Sequence, residues 1–197
     1  MLDVMLEPVG IWTVGHSNHA FDRFVELMRG ESIECVVDVR SYPYSRFAPH
    51  FNHEELRSAL PAAGVRYLYL GAELGGRPQR DEHYDADGHA LYEPMSREPA
   101  FREAIDRLLR GAERYRVAVM CSEAQPGSCH RHLLVSKVLK DRGAVVRHIL
   151  PDGSVSEMEE GEPALQPQGS LLEEELVPWR STQSVSHRRR LSTSSVG

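Results

Sequence analysis

Five short, mostly apolar runs recur along the chain, separated by segments in which apolar residues return every three or four positions. Runs of this length are typical of strands that are buried on both faces of a sheet. The spaced segments are typical of helices that turn one apolar side towards such a sheet. The predicted strands cover residues 11–14, 35–39, 66–70, 117–120 and 144–150, and the predicted helices cover residues 21–30, 52–61, 99–112 and 133–142.

This alternation predicts a single three-layer α/β domain over residues 1–156, Rossmann-like, with a mostly parallel sheet of five strands. Residues 154–156 could add a short edge strand, and residues 71–98 are expected to form a long polar loop. Right-handed crossovers would bring the carboxyl ends of the strands to one edge of the sheet. Ligands bind at that edge in open sheets of this class.

The character of the chain changes after residue 156. Residues 157–175 contain seven acidic residues and no basic residue, and residues 180–197 contain four arginines and many serines. This composition predicts a disordered tail over residues 157–197. A local docking segment at residues 177–179 is the alternative interpretation.

Composition narrows the class of protein. The formal net charge is −6, and residues 1–153 hold 22 acidic and 19 basic residues, so no broad basic face for duplex nucleic acid is indicated. Three cysteines are too few for a disulfide framework in 197 residues. We find no signal peptide and no apolar run near the roughly 18 residues of a membrane span. A cytoplasmic protein without a membrane partner is therefore expected, and the sequence indicates neither an oligomeric state nor a cofactor.

Polar and titratable side chains follow four of the five predicted strands. Because the carboxyl ends of parallel strands share an edge, we expect these groups to surround one cleft, with Glu123, His16 and Arg131 facing each other. In chain order the groups are Gly15-His16-Ser17, Asp38-Val39-Arg40, Gly76-Arg77, Cys121-Ser122-Glu123 and Cys129-His130-Arg131.

These motifs, in this order, resemble the family called domain of unknown function 488. The resemblance also uses Pro43 after the second strand and Leu74-Gly75 before Gly76, and it covers residues 11–153. It implies a compact single α/β domain, but no reaction, and it does not extend to the tail. The motif positions that it supports are Gly15, His16, Asp38, Arg40, Gly76, Arg77, Glu123, Cys129, His130 and Arg131.

Binding of an anion is the first chemical hypothesis. The predicted helix start after the fourth strand would present free backbone N–H groups. Arg40, Arg77 and Arg131 could add bidentate donors for phosphate or carboxylate. Alternatively, Arg40 and Arg131 pair with Asp38 and Glu123 as structural ion pairs. The predicted substrate-binding set is completed by Gly15, Ser17, Gly76 and His130.

The candidate catalytic residues are Glu123, His16, Cys129 and Asp38. The two carboxylates could perform acid–base chemistry, with His16 as a further titrating group. Cys129 is either a thiol nucleophile or a thiol that caps the helix, and Cys121 is interpreted as a small buried hydrophobe. The seven residues between the two cysteines match no common zinc spacing, so no metal site is predicted.

The sequence thus predicts an enzyme with a strand-end pocket for an anionic substrate, either phosphorylated, a nucleotide or a nucleic acid. The loop after the second strand is rich in aromatic residues, which could stack on a base or simply cover the edge of the sheet. The alternative function is a non-catalytic regulatory module that binds a nucleotide or nucleic acid.

Overall fold

The computed structural model describes residues 8–158 and 178–186. Its sheet has six strands in the order β3-β2-β4-β1-β5-β6. β1 to β5 pair in parallel, and β6 joins β5 in the antiparallel direction. The predicted α/β class with a mostly parallel sheet is confirmed, and β6 lies where the sequence allowed a short edge strand beside the five predicted strands. The strands are β1 (Gly10–Gly15), β2 (Cys35–Asp38), β3 (Arg66–Tyr69), β4 (Val117–Cys121), β5 (Val145–Ile149) and β6 (Val155–Glu157).

The helices include short ones that the periodicity of the sequence does not show. They are α1 (Phe21–Gly30), α2 (His53–Ala62), α3 (Gly71–Leu74), α4 (Tyr92–Arg97), α5 (Pro99–Ala112) and α6 (Lys137–Asp141). The predicted long loop at residues 71–98 is thus partly helical. A π-helical turn, Arg131–Ser136, precedes α6. No helix within the described ranges is long and apolar enough to cross a membrane.

Two hydrophobic cores lie on opposite faces of the sheet, which gives the three predicted layers. Phe24 of α1 and Leu56 of α2 are fully buried in one core. Ile105 of α5 and Leu134 of the π-helical turn are fully buried in the other. The helices that follow β1 and β2 therefore cover one face, and those that follow β3 and β4 cover the other.

The central strand β4 brings the polar strand ends together. It lies between β2 and β1, and the pairing continues past the strands themselves. The His16 backbone N–H donates to the Cys121 carbonyl at 2.9 Å, and the Val39 N–H donates to the Met120 carbonyl at 3.1 Å. Residues that follow β1, β2 and β4 consequently start from fixed positions at one edge.

Residues 178–186 belong to the predicted tail, and they lie against the domain. The Trp179 indole N–H donates to the Leu133 carbonyl at 2.7 Å, and its ring meets Tyr92 edge-on with the ring centroids 6.0 Å apart. Leu91 and Arg180 form an antiparallel bridge. The docking interpretation of residues 177–179 therefore has a structural counterpart, whereas residues 159–177 and 187–197 of the predicted tail are outside the described residues.

Candidate functional site

A cavity of about 380 Å³ opens at the carboxyl ends of β2 and β4. Its wall is formed by the two strand ends and the segments that follow them, by Gly76, Arg77 and Tyr92 from the region between β3 and α5, and by residues 181–185 of the C-terminal segment. The predicted site residues in this wall are Arg40, Gly76, Arg77, Glu123, Cys129 and His130.

Two thiols converge on one carboxylate oxygen in the cavity wall. The Cys121 and Cys129 thiols donate to Glu123 Oε2 over 2.9 and 3.0 Å. Both cysteines are buried and free of disulfides. Cys121 ends β4, and Glu123 follows two residues later, where its carboxylate folds back to the Cys121 thiol. This contact places Cys121 at the site, although the sequence interpretation gave it only a packing role.

Proton positions in this cluster follow from the hydrogen bonds. Partial burial raises the pKa of Glu123, but the two thiol donors outweigh burial and lower that pKa to about 2. Burial, together with the neighbouring Cys121, raises the pKa of Cys129 well above its usual value. At neutral pH Glu123 is therefore a carboxylate, and Cys129 without a further ligand is a thiol. A free thiolate nucleophile, as one of the sequence hypotheses has it, would need an additional positive charge at this position.

The His130 imidazole closes the cluster. Its Nδ1 lies 3.6 Å from Cys121 Sγ and 3.9 Å from Cys129 Sγ, and its Nε2 lies 3.0 Å from the Val39 carbonyl oxygen. A carbonyl can only accept, so Nε2 carries a proton, and in the neutral ring Nδ1 points an unshared pair at the sulfurs. Burial lowers the pKa of His130, but its contacts with Cys129 and Glu123 outweigh burial and raise it.

Neighbouring groups pack closely against the backbone at both predicted ligand-binding glycines. A Cβ on Gly76 would lie 2.6 Å from His130 Cγ, and a Cβ on Gly15 would lie 1.8 Å from the Glu123 carbonyl oxygen. Both distances are shorter than van der Waals contact. Glycine at 76 therefore makes room for the His130 ring, and glycine at 15 makes room for the segment that carries Glu123.

Asp38, Arg40 and His16 form a buried network beside the cavity. Asp38 accepts two bonds from the Arg40 guanidinium, at 2.9 and 2.6 Å, and one from the Tyr67 hydroxyl at 2.8 Å. Arg40 Nη1 donates to His16 Nε2 at 3.0 Å, and His16 Nδ1–H donates to the Ser17 carbonyl at 2.8 Å. The structure thus realises the alternative of a structural ion pair between Asp38 and Arg40.

Arg131 lies beneath the segment that follows β4. Its side chain is fully buried, and its guanidinium donates to the carbonyl oxygens of Glu123 and Ala124. The partner is thus the backbone of Glu123 and not its carboxylate. In this arrangement Arg131 positions the segment that carries Glu123.

Arg77 is placed differently from the other two arginines. It is an exposed residue at the rim of the cavity, and it makes no ion pair with any residue that the structure describes. Its guanidinium carbon lies 5.8 Å from the centre of the Tyr42 ring, and its backbone N–H donates to the Ser41 hydroxyl at 3.0 Å. Of the three arginines predicted to bind an anion, Arg77 is therefore the one whose guanidinium faces solvent at the cavity.

The structure brings only part of the predicted set into one cleft. Among the described residues, the cavity wall does not include Gly15, His16, Ser17, Asp38 or Arg131, so Glu123, His16 and Arg131 do not face each other across it. Ser17 instead occupies a left-handed backbone conformation, with φ of 48°. Sequence reasoning missed Cys121, Tyr92 and residues 181–185, and only Cys121 had a local signal, its spacing from Glu123.

Fold and site together define an α/β domain with a mostly parallel sheet and a cavity at its strand ends lined by thiols, a carboxylate and an imidazole. The chain belongs to the family described as Domain of unknown function DUF488, whose model matches residues 20–138. The family resemblance is thereby confirmed, and the matched range includes every motif from Asp38 to Arg131 but not Gly15-His16-Ser17. No curated protein and no solved structure matches the chain significantly.

Proposed function

We propose that the protein is an enzyme that acts on a small, phosphorylated, nucleotide-like substrate in the strand-end cavity. The observation that carries the proposal is that one wall combines a carboxylate, two thiols and an imidazole with an exposed guanidinium at the rim. The cavity volume of about 380 Å³ lies in the range of small-molecule sites.

Recognition of the anion is assigned to Arg77. Asp38 and the Phe51 carbonyl already occupy the Arg40 guanidinium, and backbone carbonyls occupy that of Arg131. Arg77 is left to offer its planar fork to an incoming phosphate. The Ser41 hydroxyl, which fixes the Arg77 backbone, also lies in the cavity wall.

Two tyrosines support a ligand with an aromatic or planar part. Tyr42 and Tyr44 both line the cavity, and they are 57% and 62% exposed. Exposed aromatic rings beside a polar cavity are suited to stacking, which contributes about 1–3 kcal/mol per nucleobase. This arrangement favours a nucleotide-like molecule over inorganic phosphate as the substrate.

The proton-transfer role is assigned to Glu123. A carboxylate with a pKa of about 2 is a weak base, so Glu123 can act as a proton acceptor when an entering substrate displaces the thiol donors that lower this pKa. Its Oε2 already holds two thiol protons by hydrogen bonds. A substrate hydroxyl or a water molecule that enters the cavity would meet the same oxygen.

Calorimetric titration with phosphate, nucleoside monophosphates and sugar phosphates tests the anion site. We expect nucleoside monophosphates to bind more tightly than phosphate. Arg77→Gln should weaken binding by about 10- to 100-fold, because a hydrogen bond to a charged group contributes about 1.5–3 kcal/mol. Arg110→Gln, at an exposed arginine of α5, is the matched control. An equal loss in both variants, or no binding to the wild-type protein, would remove the support for the proposal.

Turnover separates an enzyme from a binding module. Glu123→Gln keeps the shape of the side chain but removes the proton acceptor. An enzyme should retain ligand affinity and lose turnover in this variant. If the wild-type protein binds nucleotides through Arg77 and converts none of them, the non-catalytic module is the correct function.

A further inference from the structure

We propose that Cys121, Cys129 and His130 bind a thiophilic transition-metal ion, best matched by zinc, in the wall of the cavity. The two Sγ atoms and His130 Nδ1 all lie within 4.8 Å of one another. The nitrogen is 3.6 Å from one sulfur and 3.9 Å from the other. Bonds of about 2.3 Å to sulfur and about 2.05 Å to nitrogen in a tetrahedral zinc site place these atoms about 3.6 Å apart.

Two of the proposed ligands, His130 and Cys129, have neighbours that are typical of metal sites. The His130 Nε2–H donates to the Val39 carbonyl at 3.0 Å, which orients the ring so that Nδ1 of the neutral imidazole faces the two sulfurs. Metal-binding histidines commonly have such an outer hydrogen bond. The Arg131 backbone N–H points at Cys129 Sγ from 3.4 Å, where it would stabilise a thiolate. Glycine at 76 keeps the space that this ring orientation requires.

The Glu123 carboxylate adds a negative charge beside the two sulfurs, which favours a cation at this position. Metal binding releases the protons of thiol ligands, after which the Glu123 oxygen would lie about 3 Å from two thiolates. Three anionic groups at such distances repel one another unless a cation lies among them. A divalent ion held by these three protein ligands would have a fourth position available for a further ligand, as in catalytic zinc sites.

The sequence expectation of no metal site rested on the spacing of the cysteines alone. The structure changes that expectation because the ligands come from a strand end and from the turn before a helix, and the fold brings these together. The metal proposal depends on ligand geometry and not on the proposed anionic substrate. Either proposal can therefore fail without the other.

Titration with Co²⁺, a coloured substitute for zinc, tests the site in the full-length chain after chelator treatment. We expect about one Co²⁺ per chain, an absorption spectrum of tetrahedral cobalt with thiolate ligands, and displacement by Zn²⁺. Cys121→Ser, Cys129→Ser and His130→Gln should each weaken binding by more than about tenfold, since loss of even an outer-sphere partner has an effect of that size. Cys35→Ser, at the third cysteine, and Arg110→Gln, at an exposed arginine of α5, should bind Co²⁺ like the wild-type protein.

A second measurement on the wild-type protein covers the case in which a variant does not fold. Zn²⁺ should slow the alkylation of Cys121 and Cys129, mapped by mass spectrometry, and should leave Cys35 unaffected. Three results would overturn the proposal. They are an octahedral cobalt spectrum without thiolate bands, an equal loss of binding in Cys35→Ser, and a chain that takes up no metal but readily forms a Cys121–Cys129 disulfide.

Discussion

Substitution of His16 by Gln tests whether a buried imidazole makes the stability of this fold depend on pH. The His16 ring stacks on Phe51 with the centroids 4.4 Å apart and accepts a hydrogen bond from Arg40. Burial, and then the positive charge of Arg40, lowers the pKa of His16 from 6.5 to about 4. Glutamine can still offer an oxygen to Arg40, but it cannot take up a proton.

The magnitude follows from the difference between the pKa values of the unfolded and folded states. Well above pH 6.5 His16 is neutral in both states, so its full contribution to the free energy of unfolding is present. As the pH falls from about 7.5 to about 5, the unfolded chain binds a proton at this residue and the folded chain does not. The free energy of unfolding should therefore fall by about 2 kcal/mol over this window. The loss approaches about 3 kcal/mol once the pH is below about 4.

Urea unfolding of the wild-type and His16→Gln proteins at several pH values across this window measures the effect. The variant has its own stability at neutral pH, so the quantity to compare is the pH dependence of the unfolding free energy. We expect the wild-type curve to fall by about 2 kcal/mol more than the variant curve. Parallel curves would show that His16 is protonated equally in the two states and would refute the reasoning.

Three further substitutions test close packing and the C-terminal segment. Gly15→Ala should destabilise the fold by about 3 kcal/mol or more in urea unfolding, because its Cβ would overlap a backbone oxygen; Gly30→Ala, which faces open space at the end of α1, should change stability by less than about 1 kcal/mol. Gly76→Ala should lower the free energy of unfolding by about 1–3 kcal/mol and displace the His130 ring. Co²⁺ titration of this variant should therefore show weaker binding, and an unchanged affinity would argue against His130 as a ligand. Trp179→Ala should remove about 2 kcal/mol of stability from a half-buried indole and expose the C-terminal segment to limited proteolysis; unchanged digestion would show that Trp179 does not anchor the segment.

The candidate site was predictable where local spacing controls side-chain direction. Asp38 and Arg40, two residues apart at a strand end, point to the same side and form an ion pair. The sequence offered this pairing and anion binding as equal alternatives, because spacing does not show whether a guanidinium has a second partner. His16 and the Phe51 carbonyl are those further partners, and both come from other parts of the chain.

Other parts of the site have no signal in local sequence. The cavity wall from residues 181–185 depends on a segment that begins 50 residues after Arg131 in the chain. Its composition, rich in serine and close to three consecutive arginines, is that of solvated chain. Its ordering comes from contacts such as the bond from the Ser181 backbone N–H to the Ala90 carbonyl at 2.9 Å. Such long-range contacts leave no periodicity in the sequence.

The sequence by itself determined the five parallel strands, the main helices and the edge at which polar groups gather. It could do so because strands buried on both faces require continuous apolar runs, and helices on a sheet require one apolar side. Only the tertiary structure decided that β4 lies between β2 and β1, and hence which strand ends meet. That order brings Cys121, Glu123, Cys129 and His130 to the cavity, while His16 and Arg131 become buried and support it from behind. Side chains of equal polarity take different roles here because the fold gives them different partners.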